Sequence, residues 1–280
     1  MKTIATVSDL KAELSKSIKS GLTIGFVPTM GALHKGHLEL MKEARAQNDI
    51  VVVSIFVNPT QFNNPTDLQR YPRTLQKDKE KCADVGVDIV FAPAVEEVYP
   101  TVDERVFDFG NLDKVMEGKH RPGHFNGVAQ VVSKLFDMVQ PTRAYFGQKD
   151  YQQLAIIRKL VSDFNMDVEI VACHTVREND GLAMSSRNAL LSLQQRASAP
   201  LIAKTLLAAR NQKESKTVQE LINWVINEVN ADPELEVEYF EIANAQTLQP
   251  VNDWADAQEL VGCIAVQVGN VRLIDNVMFK

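Results

Sequence analysis

Two runs near the start of the chain, Leu22 to Val27 (LTIGFV) and Ile50 to Val57 (IVVVSIFV), are apolar and rich in β-branched residues, with no polar alternation. A strand with one wet face alternates. Unbroken apolar runs predict strands buried on both faces, as in a parallel sheet covered by helices. A helical stretch over roughly 36–48 separates the two runs, giving a strand, helix, strand unit with the usual right-handed crossover. Val87 to Pro93 (VDIVFAP), Ala144 to Gly147 (AYFG) and Val168 to Cys173 (VEIVAC) read as further strands. Between them, Val128, Val131, Val132, Leu135, Phe136 and Val139 recur at helical spacing, as do Leu154, Ile157 and Val161. The opening segment, residues 1–21, reads as a short amphipathic helix. Residues 1–175 are therefore expected to form a doubly wound, Rossmann-like α/β domain.

Beyond Arg177 to Asp180 (REND) the order of elements changes. Helical stretches around Gln194 to Arg210 and Val218 to Asn230 precede the strand-like VEYFEIA (Val237 to Ala243) and GCIAVQVGNVRLID (Gly262 to Asp275). Helices followed by strands, without alternation, predict a smaller α+β domain over 176–280. A hydrophobic fraction of 45% with 24% charged residues belongs to an ordinary globular protein, and a net charge of −6 argues against a nucleic-acid binder. No stretch approaches the ~18 apolar residues of a membrane span, and no secretory leader is evident, so a cytoplasmic protein that binds small molecules is expected. Cys82, Cys173 and Cys263 lack any Cys-x-x-Cys spacing and are expected as core residues.

Candidate chemistry concentrates in VPTMGALHKGHLELM, Val27 to Met41, directly after the first strand. In an open parallel sheet, ligands lie at the carboxyl ends of the strands, where the N-termini of the following helices also point. Gly31 and Gly36 permit tight turns and close approach of a ligand to the backbone. No Gly-x-Gly-x-x-Gly is present, and a P-loop fails because His37 and Leu38 stand where Lys and Ser or Thr are required. What remains is His34-x-Gly36-His37. On the residues alone these histidines could pack, bind metal, act as bases or cradle phosphate. Zinc would want a third ligand, and the loop offers none, so no metal site is expected. As donors to developing phosphate charge, both imidazoles have a clear use.

PTMGALHKGH, Pro28 to His37, resembles the nucleotide-binding motif of the class-I-synthetase-like nucleotidylyltransferases, and more closely that of the pantothenate synthetase (pantoate–β-alanine ligase) family. The resemblance continues in order through FVNPTQF (Phe56 to Phe62), YPRT (Tyr71 to Thr74), RPGHFNGV (Arg121 to Val128), FGQKDYQQL (Phe146 to Leu154) and TVRENDGLAMSSRN (Thr175 to Asn188). It implies that ATP lies along Met30, Gly31, Ala32, Leu33, His34, Lys35, Gly36 and His37. It adds Gly147, Gln148, Lys149 and Asp150, together with Val176 and Met184, the adenosine falling against Met30 and Val176. Ser185, Ser186 and Arg187 are implied to clamp the triphosphate; without the resemblance they read as a helix cap and a surface arginine. Gln61 and Gln153 are implied to bind pantoate, with Gln61 also beside β-alanine.

The implied reaction is ATP-dependent condensation of pantoate with β-alanine, through a pantoyl adenylate, giving pantothenate, AMP and pyrophosphate. His37 and His34 are expected to stabilise the first transition state, with Lys149, Ser185, Ser186 and Arg187 sharing the phosphate charge and Mg2+ carried on the ATP phosphates. A homodimer is implied as well. Competing readings are a nucleotidylyltransferase that leaves AMP on its product, a tRNA synthetase, which the acidic chain disfavours, and a non-catalytic nucleotide sensor. Two positions depart from the family's usual pattern: Gln148, often Glu, and Asn126, often Arg. His124 is read as structural and His120 as exposed.

Overall fold

The structure is a computed structural model that describes residues 1–63 and 65–279. Its contacts divide the chain into two compact units. The first contains Met1–Phe109, Arg121–Gln148 and Gln153–His174; the second contains Gly110–His120, Lys149–Gln152 and Thr175–Lys280.

The first unit is built on a six-stranded parallel sheet. Its strands are β1 (Lys2–Ile4), β2 (Ile24–Thr29), β3 (Ile50–Ile55), β4 (Ile89–Phe91), β5 (Arg143–Gly147) and β6 (Glu169–Cys173), in the order β1-β4-β3-β2-β5-β6. The apolar runs of β2 and β3 are the central strands, buried almost throughout. From β2 the chain moves outward through β3 and β4, then returns on the other side of β2 with β5 and β6. The strand order therefore reverses between β2 and β5, and in an open α/β sheet the ligand crevice opens at the carboxyl ends of that pair. The helix His124–Val139 buries Phe125, Val128, Val132, Leu135, Phe136 and Val139, as the helical spacing predicts.

The opening segment is more than a helix. Three residues, Lys2–Ile4, pair with β4 before Thr6 caps the helix Val7–Lys19 by accepting from the Asp9 amide. A three-residue strand is too short to show any periodicity, and only its partner β4 makes it a strand.

The second unit carries an antiparallel sheet of β7 (Leu235–Asn244), β8 (Leu260–Val268) and β9 (Val271–Phe279), in that order. Its helices bury Leu206, Leu221 and Val225 in one cluster with Phe240, Ile264 and Phe279 from the strands. The helical stretch over 194–210 is two helices, Leu193–Ser198 and Pro200–Arg210. Pro200 supplies no N–H to continue the first helix, but at the start of the second that N–H would be unpaired in any case. The strand-like run from Gly262 to Asp275 is likewise two strands. Val268 pairs with Val271, and Gly269 takes the positive φ of +60° that a two-residue hairpin loop requires.

All three cysteines are free and buried. Burial pushes the Cys82 thiol up to about 12, assisted by the nearby Asp78, and also raises those of Cys173 and Cys263. The thiolate is the reactive form. In the native protein at neutral pH a thiol reagent is expected to modify none of the three rapidly, and all three after denaturation. A fast-reacting native thiol would contradict this placement.

Among the described residues, no helix is long and apolar enough to cross a membrane, and no group of three or more His, Cys, Asp or Glu side chains is gathered in a metal-binding arrangement.

Candidate active site

In the first unit the site begins where β2 ends. The Thr29 hydroxyl donates to the Ser54 carbonyl on β3 (2.7 Å) and accepts from the Gly31 amide (3.2 Å). Gly31 then takes φ +81° and Ala32 φ +49°, two left-handed residues in succession. For alanine that conformation is strained, so something must hold it.

The restraint comes from Asp78, which sequence reasoning had passed over. Its carboxylate is completely buried and accepts from the amides of Ala32 (3.0 Å) and Leu33 (2.8 Å) and from the Thr74 hydroxyl (3.0 Å). Lys81, one turn further along the same helix (Leu75–Asp84), donates to the Leu33 carbonyl at 2.5 Å. One helix thus grips the loop by its amides and by a carbonyl. The only local signal is that Asp78 and Cys82, four apart, share the buried face of that helix; an acid among the alternating lysines and acids of this helix otherwise reads as solvated.

The loop delivers His34 as N-cap of the helix Lys35–Gln47. Its Nδ1 accepts from the Gly36 amide (3.1 Å), while Nδ1 of His37 accepts from the His34 amide (3.3 Å). This is a capping box made from two imidazoles. The ring centroids lie 4.0 Å apart. With Nδ1 turned to a backbone N–H, each neutral ring carries its proton on Nε2 and is a donor there. The first turn holds no acidic residue. Helix amides and imidazole donors at one helix N-terminus form a cradle suited to an anion.

Gln61 ends the short 3-10 turn Pro59–Gln61 that follows β3. Its Oε1 accepts from Asn58 Nδ2 (3.1 Å), and its Nε2 lies 3.3 Å from the Met30 sulfur, so the structure brings Gln61 and Met30 together. Asn58 is 1% exposed and also donates to the Gly127 carbonyl, while its own Oδ1 accepts from the Tyr99 hydroxyl (2.9 Å). Gly127 is required here, because a Cβ would run into the backbone of Thr60. Nδ1 of the buried His124 lies 2.9 Å from the Gln61 carbonyl, a structural task. Asn58 is a second residue missed from the sequence. Its place inside FVNPTQF was visible, but its role of setting the Gln61 amide was not.

Gln153 is half-buried in the first turn of the helix Tyr151–Asp163. Gly147 closes β5, and Gln148 next to it approaches His174 Nδ1 through its Oε1 (3.1 Å). This neutral amide is the first of the two departures expected from the sequence. Asn126 accepts from the Phe107 amide (2.9 Å) and donates to the Arg105 carbonyl (3.2 Å), so this second departure holds backbone.

In the second unit, Lys149 and Asp150 follow in the 3-10 turn Gln148–Asp150, with 3.4 Å between the ammonium and the Asp150 carboxylate. The Met184 amide donates to the Val176 carbonyl (2.9 Å), and Arg177 bridges to Ala183, so Val176 and Met184 face each other across a small hairpin. Ser185 caps the 3-10 turn Ser186–Leu190 by accepting from the Arg187 amide (3.2 Å). The cap read from the sequence therefore exists. Ser186 and Arg187 are half-buried in that turn. His120 is exposed, its ring stacked on Tyr239.

Comparison with known proteins gives concordant matches over nearly the whole chain. A family model described as pantoate-beta-alanine ligase matches residues 2–278. The pantothenate synthetase of Porphyromonas gingivalis is 52% identical over 280 residues, covering 100% of both chains. The crystal structure of pantothenate synthetase from Thermus thermophilus superimposes with a TM-score of 0.92 at 46% identity, covering 99% of each chain. That of pantoate-beta-alanine ligase from Francisella tularensis, complexed with beta-gamma ATP and beta-alanine, gives a TM-score of 0.83 at 38% identity, covering 99% of this chain and 97% of its own.

Proposed function

We propose that this chain, which belongs to the pantoate-beta-alanine ligase family, condenses pantoate with β-alanine at the expense of ATP, giving pantothenate, AMP and pyrophosphate. The observation that carries this reading is the pair of imidazoles of His34 and His37, 4.0 Å apart at the N-terminus of a helix, each with Nδ1 committed to backbone.

A carboxylate is a poor acylating agent because its oxygen leaves badly. In the proposed first step a pantoate carboxylate oxygen forms a bond to the α-phosphorus of ATP, and the bond from that phosphorus to the bridging oxygen breaks, releasing pyrophosphate. The mixed anhydride has AMP as its leaving group. In the second step the β-alanine amine attacks the acyl carbon, AMP departs with the anhydride electrons, and the amine loses a proton. Charge grows on the phosphate oxygens in the first step, so oriented donors there lower the barrier.

His37 and His34 supply such donors at Nε2. Lys149, Ser185, Ser186 and Arg187 share the remaining phosphate charge, with Mg2+ arriving as part of the substrate MgATP. The loop from Met30 through Gly31, Ala32, Leu33 and Lys35 to Gly36 lies along the nucleotide, with Gly147, Gln148, Asp150, Val176 and Met184. Gln61 and Gln153 hold pantoate. Residues 1–175 bind ATP and pantoate, with 110–120 and 149–152 packing in the same unit as residues 176–280, which act as the lid. A cytoplasmic homodimer belongs to the same proposal.

The test is to follow pyrophosphate, AMP and pantothenate together, with ATP, magnesium and pantoate, in the presence and absence of β-alanine. AMP and pantothenate in equal amounts, only with both substrates, is the expected result. Accumulation of an adenylylated product would favour a nucleotidylyltransferase, and absence of pyrophosphate would remove both readings. Gln153→Ala is expected to weaken pantoate binding while leaving ATP binding by calorimetry nearly unchanged. An equal loss of both would place Gln153 elsewhere.

A further inference from the structure

Lys149 and Ser185–Arg187 are 36 or more positions apart in the chain, yet both belong to the second unit. The segment Lys149–Gln152, lying between two stretches of the first unit, is tied into the second by hydrogen bonds. The Lys149 carbonyl accepts from Asn276 Nδ2 (2.8 Å), the Tyr151 hydroxyl donates to the Ala245 carbonyl (3.1 Å), and Gln152 Nε2 donates to the carbonyls of Leu112 (2.6 Å) and Val115 (2.9 Å).

The residue before Asn276 holds the other phosphate-facing segment. Asp275, 4% exposed, takes a two-pronged contact from Arg177, with Nη1 to Oδ2 at 2.6 Å and Nη2 to Oδ1 at 3.0 Å. Arg177 Nη1 also donates to the Gly181 carbonyl (3.1 Å), closing the hairpin whose far strand runs into Met184, Ser185 and Ser186. The 3-10 turn Ser186–Leu190 packs on the same strand, β9. Consecutive residues of a strand project from opposite faces, so one strand can grip two segments at once. The Asn276 amide, itself donating to Asp275 Oδ1 (2.8 Å), fixes the carboxylate between them. A bidentate Arg–carboxylate contact fixes orientation as well as distance.

We propose that Asp275 and Asn276 on β9 are the shared positioning residues of the phosphate-binding set. Asn276 places Lys149 through its carbonyl, and Asp275 places Ser185, Ser186 and Arg187 through Arg177. The second unit then carries these charges as one preassembled group, spaced by a strand that itself touches no substrate. The inference rests on the reading of Lys149 and Ser185–Arg187 as phosphate donors.

Double-mutant cycles on the full-length enzyme test both statements. Asn276→Leu removes the donor at nearly constant volume. It is expected to lower kcat for pyrophosphate release by on the order of ten- to a hundredfold, with KM for pantoate unchanged. In a Lys149→Ala background the same substitution should have almost no further effect. Asp275→Asn should behave the other way, its effect persisting in full with Lys149→Ala and shrinking with Arg187→Ala, the remainder being the part carried by Ser185 and Ser186. If Asn276→Leu does not fold, Asn276→Asp, which keeps the shape and a polar group but lacks the N–H, takes its place. Full turnover from Lys149→Ala and Arg187→Ala would overturn the underlying reading of the site. Impaired Lys149→Ala and Arg187→Ala, combined with wild-type or merely additive behaviour of the Asp275 and Asn276 variants, would overturn the anchor alone.

Discussion

His37→Ala is expected to slow pyrophosphate release at saturating ATP by at least about a hundredfold, the usual consequence of removing one oriented donor from a site of developing charge. The ring has two tasks, and they are separable. Its Nδ1 accepts from the His34 amide and so completes the cap of the helix Lys35–Gln47. Loss of such a cap costs about 1 kcal/mol, which for a domain of this kind lowers the melting temperature by about 2–4 °C. That cannot account for a hundredfold loss of turnover at 25 °C, where nearly all the protein stays folded. Rate and melting measured on one preparation therefore distinguish the cap from the catalytic donor. Wild-type turnover in His37→Ala would end the assignment.

The second large effect is expected at Asp78, which makes no proposed contact with substrate. Asp78→Ala leaves the amides of Ala32 and Leu33 and the Thr74 hydroxyl without their acceptor. A buried donor left unpaired costs about 1–3 kcal/mol. The Leu33 amide is buried, while the Ala32 amide and Thr74 hydroxyl are partly exposed and can turn to water at smaller cost. The left-handed Ala32 also loses its restraint, so a fall in stability of about 2–5 kcal/mol is expected. ATP affinity should fall further than stability alone predicts, because this loop presents His34. A control follows from the backbone. Ala32→Gly, which removes the steric objection to φ +49°, should recover part of the ATP binding in an Asp78→Asn variant. Unchanged melting and ATP binding in Asp78→Asn would show that the carboxylate does not hold the loop.

These two residues were not equally visible. His37 stands in a short motif directly after a buried strand, and the reasons for its place are local: a turn at Gly31, a helix start at Lys35 and a cap. Asp78 acts on a loop 45 residues earlier in the chain, and a hydrogen bond across that separation leaves no trace in periodicity or spacing. Asn58 shows the same limit inside a recognised motif. Its type was legible and its bond to Gln61, three positions on, is local, but its bond to the Gly127 carbonyl exists only once the turn after β3 and the helix His124–Val139 are packed.

By itself the sequence determined the alternating strands and helices of the first unit, the Gly31 and Gly36 turn that brings His34 and His37 to one helix start, the family, and the residue types available for chemistry. Those features depend on neighbours a few positions away, through burial pattern, backbone freedom and capping. Only the tertiary structure decided that Lys2–Ile4 is a strand, that Asp78 holds the strained loop, and that Lys149 packs with the unit containing Ser185–Arg187. Each of these is a hydrogen bond or strand pairing between distant segments, fixed by a partner that the local pattern does not contain.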